Sequence, residues 1–256
     1  MLVVIAIVGV LAAITVPALS NMKRSDAMVA ATRQMLDDLS RARQLAISRH
    51  TTVYMVFVPY QFYSDPNFLS LTPTALGDPG TNLFDKQLIG YTFVTLRSIG
   101  AQPGELNPDY IGPWHTMPEG TFIATNKFFG PNYFVTDPPG SLTPFRKYPI
   151  NVFSYTNAIP FPTEEAYSPA DKNRKFANVP YVAFNYLGQL VSGQGDEYIP
   201  LARGTVLHRH NQQTKVAIAG PPLLAESPPG NSTNIINLIH IDRLTGRARL
   251  IQQELQ

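Results

Sequence analysis

Residues 2–19 read LVVIAIVGVLAAITVPAL and contain no charged side chain. In a helix this stretch would rise about 27 Å, which is close to the ~30 Å hydrocarbon core of a bilayer. Lys23 and Arg24 follow it, and an amphipathic pattern then continues to about Ser48. The stretch therefore predicts a transmembrane helix that continues without a break into the helix of a globular part.

Two other interpretations of the apolar stretch stay open. One is a cleaved secretory signal, for which Ala18-Leu19-Ser20 offers a small-x-small cleavage site. Such a signal needs a positive region ahead of a shorter apolar core, and no positive side chain precedes Leu2. The other is a helix buried in the core of a soluble domain.

A proline and several small residues indicate that the apolar helix packs against other helices. Pro17 removes a backbone donor and would clash with the carbonyl of Ala13, and in lipid the freed group needs another partner. Gly9 and the alanines near it permit close helix–helix approach. The predicted membrane and assembly positions are Leu2, Val4, Ile5, Ile7, Gly9, Leu11, Ile14 and Pro17.

The order of these residues resembles one protein family. Residues 2–17 are similar to the N-terminal helix of type IV pilins and type II secretion pseudopilins, and Pro17 falls on that family's helix-kinking proline. The resemblance implies a basic leader, a peptidase cleavage site, a methylated Phe and a Glu, all upstream of Met1. Either the start is truncated or this copy cannot be processed. Because the rest of the helix is intact, we expect that the true start lies upstream, and that prepilin peptidase acts on the chain when that start is restored.

A second pattern covers the helix that follows. Apolar residues at three- or four-residue spacing predict one buried stripe. Residues 39–47 also resemble the H-type minor pseudopilin pattern Leu-x-x-Ala-Arg-x-x-Ala-Ile, which implies a strand directly after the helix. Thr51–Val58 has the β-branched and aromatic residues of such a strand. The positions predicted to pack on a sheet are Met28, Met35, Leu39, Ala42 and Ala46.

Later stretches predict further strands and two glycine turns. The strands are Tyr91–Leu96, Thr121–Ala124, Tyr181–Tyr186, Tyr198–Leu201, Thr205–His208, Ile235–Ile241 and Ala248–Gln252. Leu187-Gly188-Gln189 and Thr245-Gly246-Arg247 read as hairpin turns in which glycine supplies a positive φ. The segments VAFNYLGQLVSG (182–193) and IHIDRLTGRARL (239–250) also resemble the end of H-type pseudopilin domains.

These observations predict an α+β fold. A long N-terminal helix, transmembrane in its first half and amphipathic in its second, would pack on an antiparallel, β-rich, two-sheet pilin-like domain. The predicted boundaries are 1–24 for the transmembrane and assembly half, and 25–256 for the globular domain. Irregular insertions are predicted at 60–88 and 126–179. The second insertion is rich in aromatics, which either pack back on the sheet or form a recognition surface.

Nothing in the sequence indicates an enzyme. The net charge of +2 makes no general case for nucleic acid, and the absence of cysteine excludes disulfides and thiolate chemistry. His208 and His210 would share one face of a strand, but they have no obvious third ligand. No cofactor is expected, although Asp196, Glu197 and Asp242 leave a calcium site open.

The family resemblance implies a non-catalytic structural subunit, a minor pseudopilin or pilin-like protein of a type II secretion or type IV pilus filament. Its implied partners are other pilin subunits, the bacterial inner membrane and a possible secreted client. Lys23 and Arg24 alone would favour a cytoplasmic globular part, whereas the resemblance implies a periplasmic one. The alternative functions are a membrane-anchored periplasmic tip adaptor, which recognises a secreted protein or DNA through the aromatic stretch, and an anchored enzyme.

Overall fold

The computed structural model describes residues 26–64, 81–97, 108–130, 133–136, 147–160, 176–234 and 237–252. Helix α1 runs from residue 26, where the described part begins, to residue 48. The strands are β1 Val53–Phe57, β2 Gly90–Thr95, β3 Asp109–Tyr110, β4 His115–Thr116, β5 Thr121–Ile123, β6 Tyr133–Thr136, β7 Lys147–Ile150, β8 Ala158–Pro160, β9 Phe176–Asn178, β10 Tyr181–Phe184, β11 Glu197–Leu207, β12 Leu223–Glu226, β13 Asn237–Ile241 and β14 Ala248–Gln252. Single turns of helix lie at Thr81–Phe84 and Asn231–Asn234.

Helix α1 ends in a hydrogen-bonded cap. The amide of Thr51 donates to the carbonyl of Ala46 (3.3 Å), and the amide of His50 donates to the carbonyl of Ile47 (3.4 Å). This is the pair of bonds that defines a Schellman motif. His50 has a φ of 49° and so occupies the left-handed position that glycine usually fills. The cap directs the chain straight into β1.

Two five-stranded antiparallel sheets form the body of the protein. The first has the order β10-β1-β2-β3, with β4 also paired to β2, and the second has the order β12-β11-β13-β14, with β5 also paired to β11. Strand β11 changes partner along its length: Glu197–Pro200 pairs with β13, Leu201–Arg203 with β5, and Gly204–Leu207 with β12. Two separate hairpins, β6–β7 and β8–β9, complete the described strands.

The apolar stripe of α1 is buried in a cluster that includes residues of both sheets. Buried partners in this cluster include Met55 and Phe93 of the first sheet and Ile199 and Ile239 of the second. Full burial of a large aliphatic side chain contributes about 1.5–3 kcal/mol. The buried residues of the stripe are Met28, Ala31, Met35, Leu39, Ala42 and Ala46.

The predicted fold class is wrong. Among the residues that the structure describes, no helix is both long and apolar enough to cross a membrane. The only extended helix there is α1, which carries exposed charges at Arg33, Asp37 and Arg41, and most of the remaining chain forms antiparallel sheets. The predicted long helix with a transmembrane first half, packed on a two-sheet domain, is therefore not the architecture. The membrane positions Leu2–Pro17 lie outside the described residues.

Most predicted strands are confirmed, with small shifts at their ends. Strand β14 has the predicted bounds, while β1, β2, β5 and β10 end one or two residues early. The stretches predicted as separate strands at Tyr198–Leu201 and Thr205–His208 form the single strand β11. The region 126–179, predicted as irregular, contains the four short strands β6 to β9. Prolines and aromatics in that region hide the two-residue period of its strands.

Candidate functional site

The turn after β10 is fixed by one side chain. The Oδ1 atom of Asn185 accepts hydrogen bonds from the amides of Leu187 (3.0 Å) and Gln189 (2.9 Å). Gly188 has a φ of 76°, so the predicted glycine turn is confirmed. An asparagine that bonds the backbone two residues later is a known turn-forming arrangement. The backbone carbonyl of Gly188 is thereby held in a defined position.

The turn between β13 and β14 has a similar construction. The Oδ1 atom of Asp242 accepts hydrogen bonds from the amide (2.7 Å) and the hydroxyl (2.8 Å) of Thr245. Gly246 has a φ of 61°, and its amide donates to the carbonyl of Asp242 (2.8 Å). The hydrogen bonds from Thr245 lower the pKa of Asp242, because they favour its charged form. This second predicted glycine turn is also confirmed.

Arg43 joins both turns to the end of α1. Its Nε donates to the carbonyl of Thr245 at 2.8 Å and to the carbonyl of Gly188 at 3.2 Å. Arg43 belongs to the Ala-Arg pair of the helix block that resembles H-type pseudopilins, and the two carbonyls belong to the two turn blocks. The three blocks therefore meet at one guanidinium group.

Both glycines of this contact are closely packed, but only Gly246 is excluded from carrying a side chain by the backbone. A Cβ atom on Gly246 would lie 2.0 Å from the carbonyl oxygen of Gly188, which cannot move aside without moving the chain. A Cβ atom on Gly188 would lie 2.8 Å from Cδ1 of Ile47, the end of a flexible side chain that can shift. We call Arg43, Ile47, Gly188, Thr245 and Gly246 the helix-end junction. The polar groups that make this contact are two backbone carbonyls and one guanidinium, which together form a structural tie.

A second polar cluster connects α1 to the first sheet. Tyr91 donates its hydroxyl proton to Asp38 (2.6 Å), and Nδ1 of His115 lies 3.0 Å from the same carboxylate oxygen. Gln34 donates to the Tyr91 oxygen (2.7 Å) and to the carbonyl of Thr116 (2.9 Å). Burial raises the pKa of Tyr91, and the adjacent Asp38 raises it further. Tyr91 therefore stays protonated and fastens the helix to the sheet.

A buried ion pair connects the turn after β5 to the start of β11. The Nζ atom of Lys127 contacts Glu197, donates to the carbonyl of Asn151 (2.6 Å) and lies 4.8 Å from the ring centroid of Phe153. Burial lowers the pKa of Lys127, although Glu197 opposes this effect. Burial in turn raises the pKa of Glu197, and Lys127 opposes that shift. Lys127 is fully buried, so its amine is not accessible from solvent.

The three carboxylates considered for calcium each have a different partner. Asp196 accepts from Nε2 of His240 (2.8 Å) and from the amide of Arg243 (2.9 Å), while Glu197 pairs with Lys127 and Asp242 caps its turn. In the described ranges, no group of three His, Asp or Glu residues is placed to hold a metal ion. The structure therefore does not bring these carboxylates together.

The two histidines considered as metal ligands also point to separate partners. Nε2 of His208 lies 3.2 Å from the carbonyl of Gln87, and Nε2 of His210 lies 2.9 Å from Asp85. Burial lowers the pKa of His208, so it is held mainly in its neutral form. Both rings are explained by local hydrogen bonding.

The aromatic stretch at 126–179 is described only in part. Phe128 and Phe153 are buried, and Phe153 stacks on Phe57 with ring centroids 4.5 Å apart. Phe129 is more exposed and stacks on Tyr60 (5.1 Å). The described aromatics thus pack mainly on the body. Other aromatics of the stretch, such as Phe145 and Tyr167, lie outside the described residues, so a recognition surface there stays a prediction.

The sequence identified the two glycines of the junction but not the role of Arg43. A signal existed in the spacing Asp242-x-x-Thr245 and in Asn185 ahead of Gly188, since both are turn patterns in which the side chain bonds the backbone. No local pattern indicates which distant carbonyls an arginine will reach. The chain matches no protein-family model, no curated protein and no solved structure.

Proposed function

We propose that this chain is a non-catalytic structural subunit, a pilin-like protein or minor pseudopilin of a type II secretion or type IV pilus filament. The observation that carries this proposal is the helix-end junction. Three blocks that resemble the H-type pseudopilin pattern, far apart in sequence, meet at Arg43. Each block supplies one part of the same contact, and this gives a physical reason why the three blocks occur together in one chain.

The junction suits a subunit that carries mechanical load. A subunit held in a filament through its N-terminal segment transmits force from that segment through α1 into the β body. Arg43 bonds the last turns of α1 to the turns of both sheets, and the Tyr91–Asp38 hydrogen bond fastens the helix further back. With no cysteine available for a disulfide, such charge-assisted contacts hold the body together.

The apolar residues 2–19 provide the rest of the proposal. They hold the subunit in the bacterial inner membrane, with the β body on the periplasmic side, until assembly replaces lipid contacts with contacts to other subunits. The energy for extraction comes from a separate ATPase, and prepilin peptidase processes the start. The remaining partners are the other pilin subunits and possible secreted clients.

The test is incorporation into a filament. The chain is produced behind a prepilin leader and the family's Phe-Thr-Leu-x-Glu start, in a bacterium that assembles type II or type IV filaments. We expect peptidase cleavage and co-purification with sheared filaments. Arg43→Met should lower incorporation several-fold, whereas Arg33→Met, an exposed arginine on the same helix, should leave it unchanged.

A cleaved subunit that stays wholly in the membrane fraction and out of filaments would contradict the proposal. Equal incorporation of Arg43→Met and the wild type would show that the helix-end junction is not needed for assembly into the filament. The amount of membrane-inserted precursor, measured in the same cells, separates failed assembly from failed folding.

A further inference from the structure

Large apolar side chains are exposed around the helix-end junction. Leu244 is 75% exposed, Leu187 57% and Tyr186 56%. Half of the large apolar side chains that are exposed in the described part of the chain lie in this region. We call these residues the helix-end patch: Ile47, Tyr186, Leu187, Val191 and Leu244.

Backbone contacts show that the members of the patch are neighbours. Ile47 reaches the backbone of Gly188, which directly follows Leu187. The carbonyls of Gly188 and Thr245 share the Nε of Arg43, and Thr245 directly follows Leu244. The amide of Leu190, next to Val191, donates to the carbonyl of Arg243 (3.0 Å). The backbone segments that carry these side chains are therefore neighbours in space.

The patch is held rigid before any partner arrives. Asn185, Asp242 and Arg43 fix the two turns that present Leu187 and Leu244. A surface that is already ordered loses little conformational entropy on binding. Clusters of exposed apolar side chains are a feature of interaction sites.

The charges at the rim select the partner. Arg243 and Arg247 are exposed, and neither forms an ion pair within the described ranges. The nearby carboxylates of Asp196 and Asp242 are already satisfied by hydrogen bonds. Arg243 also donates to the carbonyl of Gln194 (2.5 Å), but within the described ranges neither guanidinium group has an acidic partner, so a partner that carries carboxylates complements them.

Two other occupants fit this surface less well. A symmetric contact between two copies would place the same patch on both sides, and its nearby carboxylates, Asp196 and Asp242, already have hydrogen-bond partners, so it would offer Arg243 and Arg247 no free acid. An anionic membrane gains only about 1 kcal/mol per basic residue, and lipid-binding clusters contain several more basic residues than this rim offers. A protein segment with few, well-placed acids fits best.

We propose that the helix-end patch is a docking surface for a segment of another protein that carries aliphatic side chains flanked by Asp or Glu. The aliphatic groups cover Leu187 and Leu244, and the carboxylates pair with Arg243 and Arg247. This inference does not depend on the filament role, because it follows from exposure, rigidity and charge alone.

The test uses the full chain in zwitterionic phosphatidylcholine nanodiscs and a displayed library of random peptides. Peptides are selected on the wild type after depletion on the double variant Leu187→Asp/Leu244→Asp. We expect enriched peptides that combine Leu or Ile with Asp or Glu. A synthesised member should bind at least about tenfold more weakly, or about 1.4 kcal/mol, to the double variant. Arg243→Glu/Arg247→Glu should weaken it as well.

The matched control is Leu207→Asp/Leu223→Asp on strands β11 and β12. These two leucines are 54% and 63% exposed and face each other across the strand pair, far in sequence from the junction. The control should bind the peptide like the wild type. An equal loss in the control would show a non-specific effect of added charge and would overturn the proposal.

Three further results would also overturn it. The first is the absence of any peptide that distinguishes the wild type from the double variant, or enrichment of peptides without acids. The second is binding to phosphatidylglycerol vesicles that the double variant loses, which would assign the patch to lipid. The third is self-association of the wild type in sedimentation that the double variant loses, which would assign it to a second copy. None of these results bears on filament incorporation.

Discussion

Because Gly246 has no side chain, the turn between β13 and β14 can approach the turn after β10 closely, beside the end of α1. Its φ of 61° suits glycine, and any Cβ atom there would meet the carbonyl oxygen of Gly188. Gly120 offers a matched comparison, because its φ of 84° is similar but nothing lies within 4 Å of its Cβ position. A substitution at Gly120 therefore tests backbone strain alone, whereas the same substitution at Gly246 tests backbone strain together with a steric clash.

We predict that Gly246→Ala is the more destabilising of the two changes. Gly120→Ala should lower the free energy of unfolding by about 1–2 kcal/mol, the cost of a left-handed conformation. Gly246→Ala should lose about 1–3 kcal/mol more, because the methyl group cannot be accommodated without moving the backbone. Urea unfolding of both variants measures the difference, and equal losses would show that the close approach to Gly188 is not maintained.

His208 makes the stability of the protein depend on pH. Burial lowers the pKa of His208 below its usual 6.5, while the carbonyl of Gln87 and the nearby Asp85 partly oppose the shift. Between the folded pKa and 6.5, the unfolded chain therefore binds more protons than the folded one. Stability then rises with pH across this window and falls as the solution is acidified below 6.5.

We predict that His208→Gln removes this part of the pH dependence. The Gln side-chain amide retains a donor for the carbonyl of Gln87 but does not titrate. In urea unfolding series from pH 7.5 downward, the wild type should lose more stability than the variant below pH 6.5. Parallel curves for the two proteins would show that the imidazole is as easily protonated in the folded state as in the unfolded one.

Strand β11 shows which part of a strand the sequence pattern predicts and which part it does not. Two stretches within it have strand composition and were predicted, but Ala202, Arg203 and Gly204 between them read as a break. They continue the strand because β5 pairs with it there and Gly204 adopts a φ of 152° against β12. Short strands such as β3 and β4 were missed since two residues carry no period. Pairing with distant strands decided these elements, and local propensity did not.

Asn231 supports β11 at Arg203, where the strand passes from β5 to β12. Its Oδ1 accepts from the amide of Arg203 (2.7 Å), and its Nδ2 donates to the carbonyl of the same residue (2.7 Å) and to Pro228 (2.9 Å). Asn231 is buried, and its side-chain amide adds two hydrogen bonds to the backbone of Arg203 at this position. Side-chain hydrogen bonds thus maintain the length of the strand.

We predict that Asn231→Ala destabilises the protein by about 1–3 kcal/mol, since the amide of Arg203 loses its acceptor, whereas the carbonyl of Arg203 keeps the amide of Ser227 as a donor (3.1 Å). The amide of Arg203 should also exchange with deuterium faster than its neighbours Leu201 and Ala202. Thr233→Ala, an exposed change on the same turn of helix, is the control and should have little effect. Unchanged protection of Arg203 would mean that another group satisfies it.

For the whole molecule, the sequence predicted many strands and the buried stripe but not the architecture. The stripe from Met28 to Ala46 correctly indicates one buried face, yet a periodic pattern does not specify how far a helix extends or what lies against it. The described helix carries charges along its outer face and is buried on its inner face by both sheets. The contacts that arrange the sheets, such as Arg43 with Thr245, join residues far apart in the chain, so no local sequence pattern indicates them.

The burial of α1 against both sheets also sets an order of events during synthesis. The stripe of α1 ends at Ala46, whereas Ile239 of β13, which lies in the same cluster, is among the last parts of the body to be made. At ribosomal rates of about 5–20 residues per second, Ile239 emerges roughly 10–40 s after Ala46. Strands β1 and β2 emerge earlier, but during that interval the part of the apolar face that β13 covers stays exposed. The growing chain therefore needs protection from aggregation until its last strands are translated.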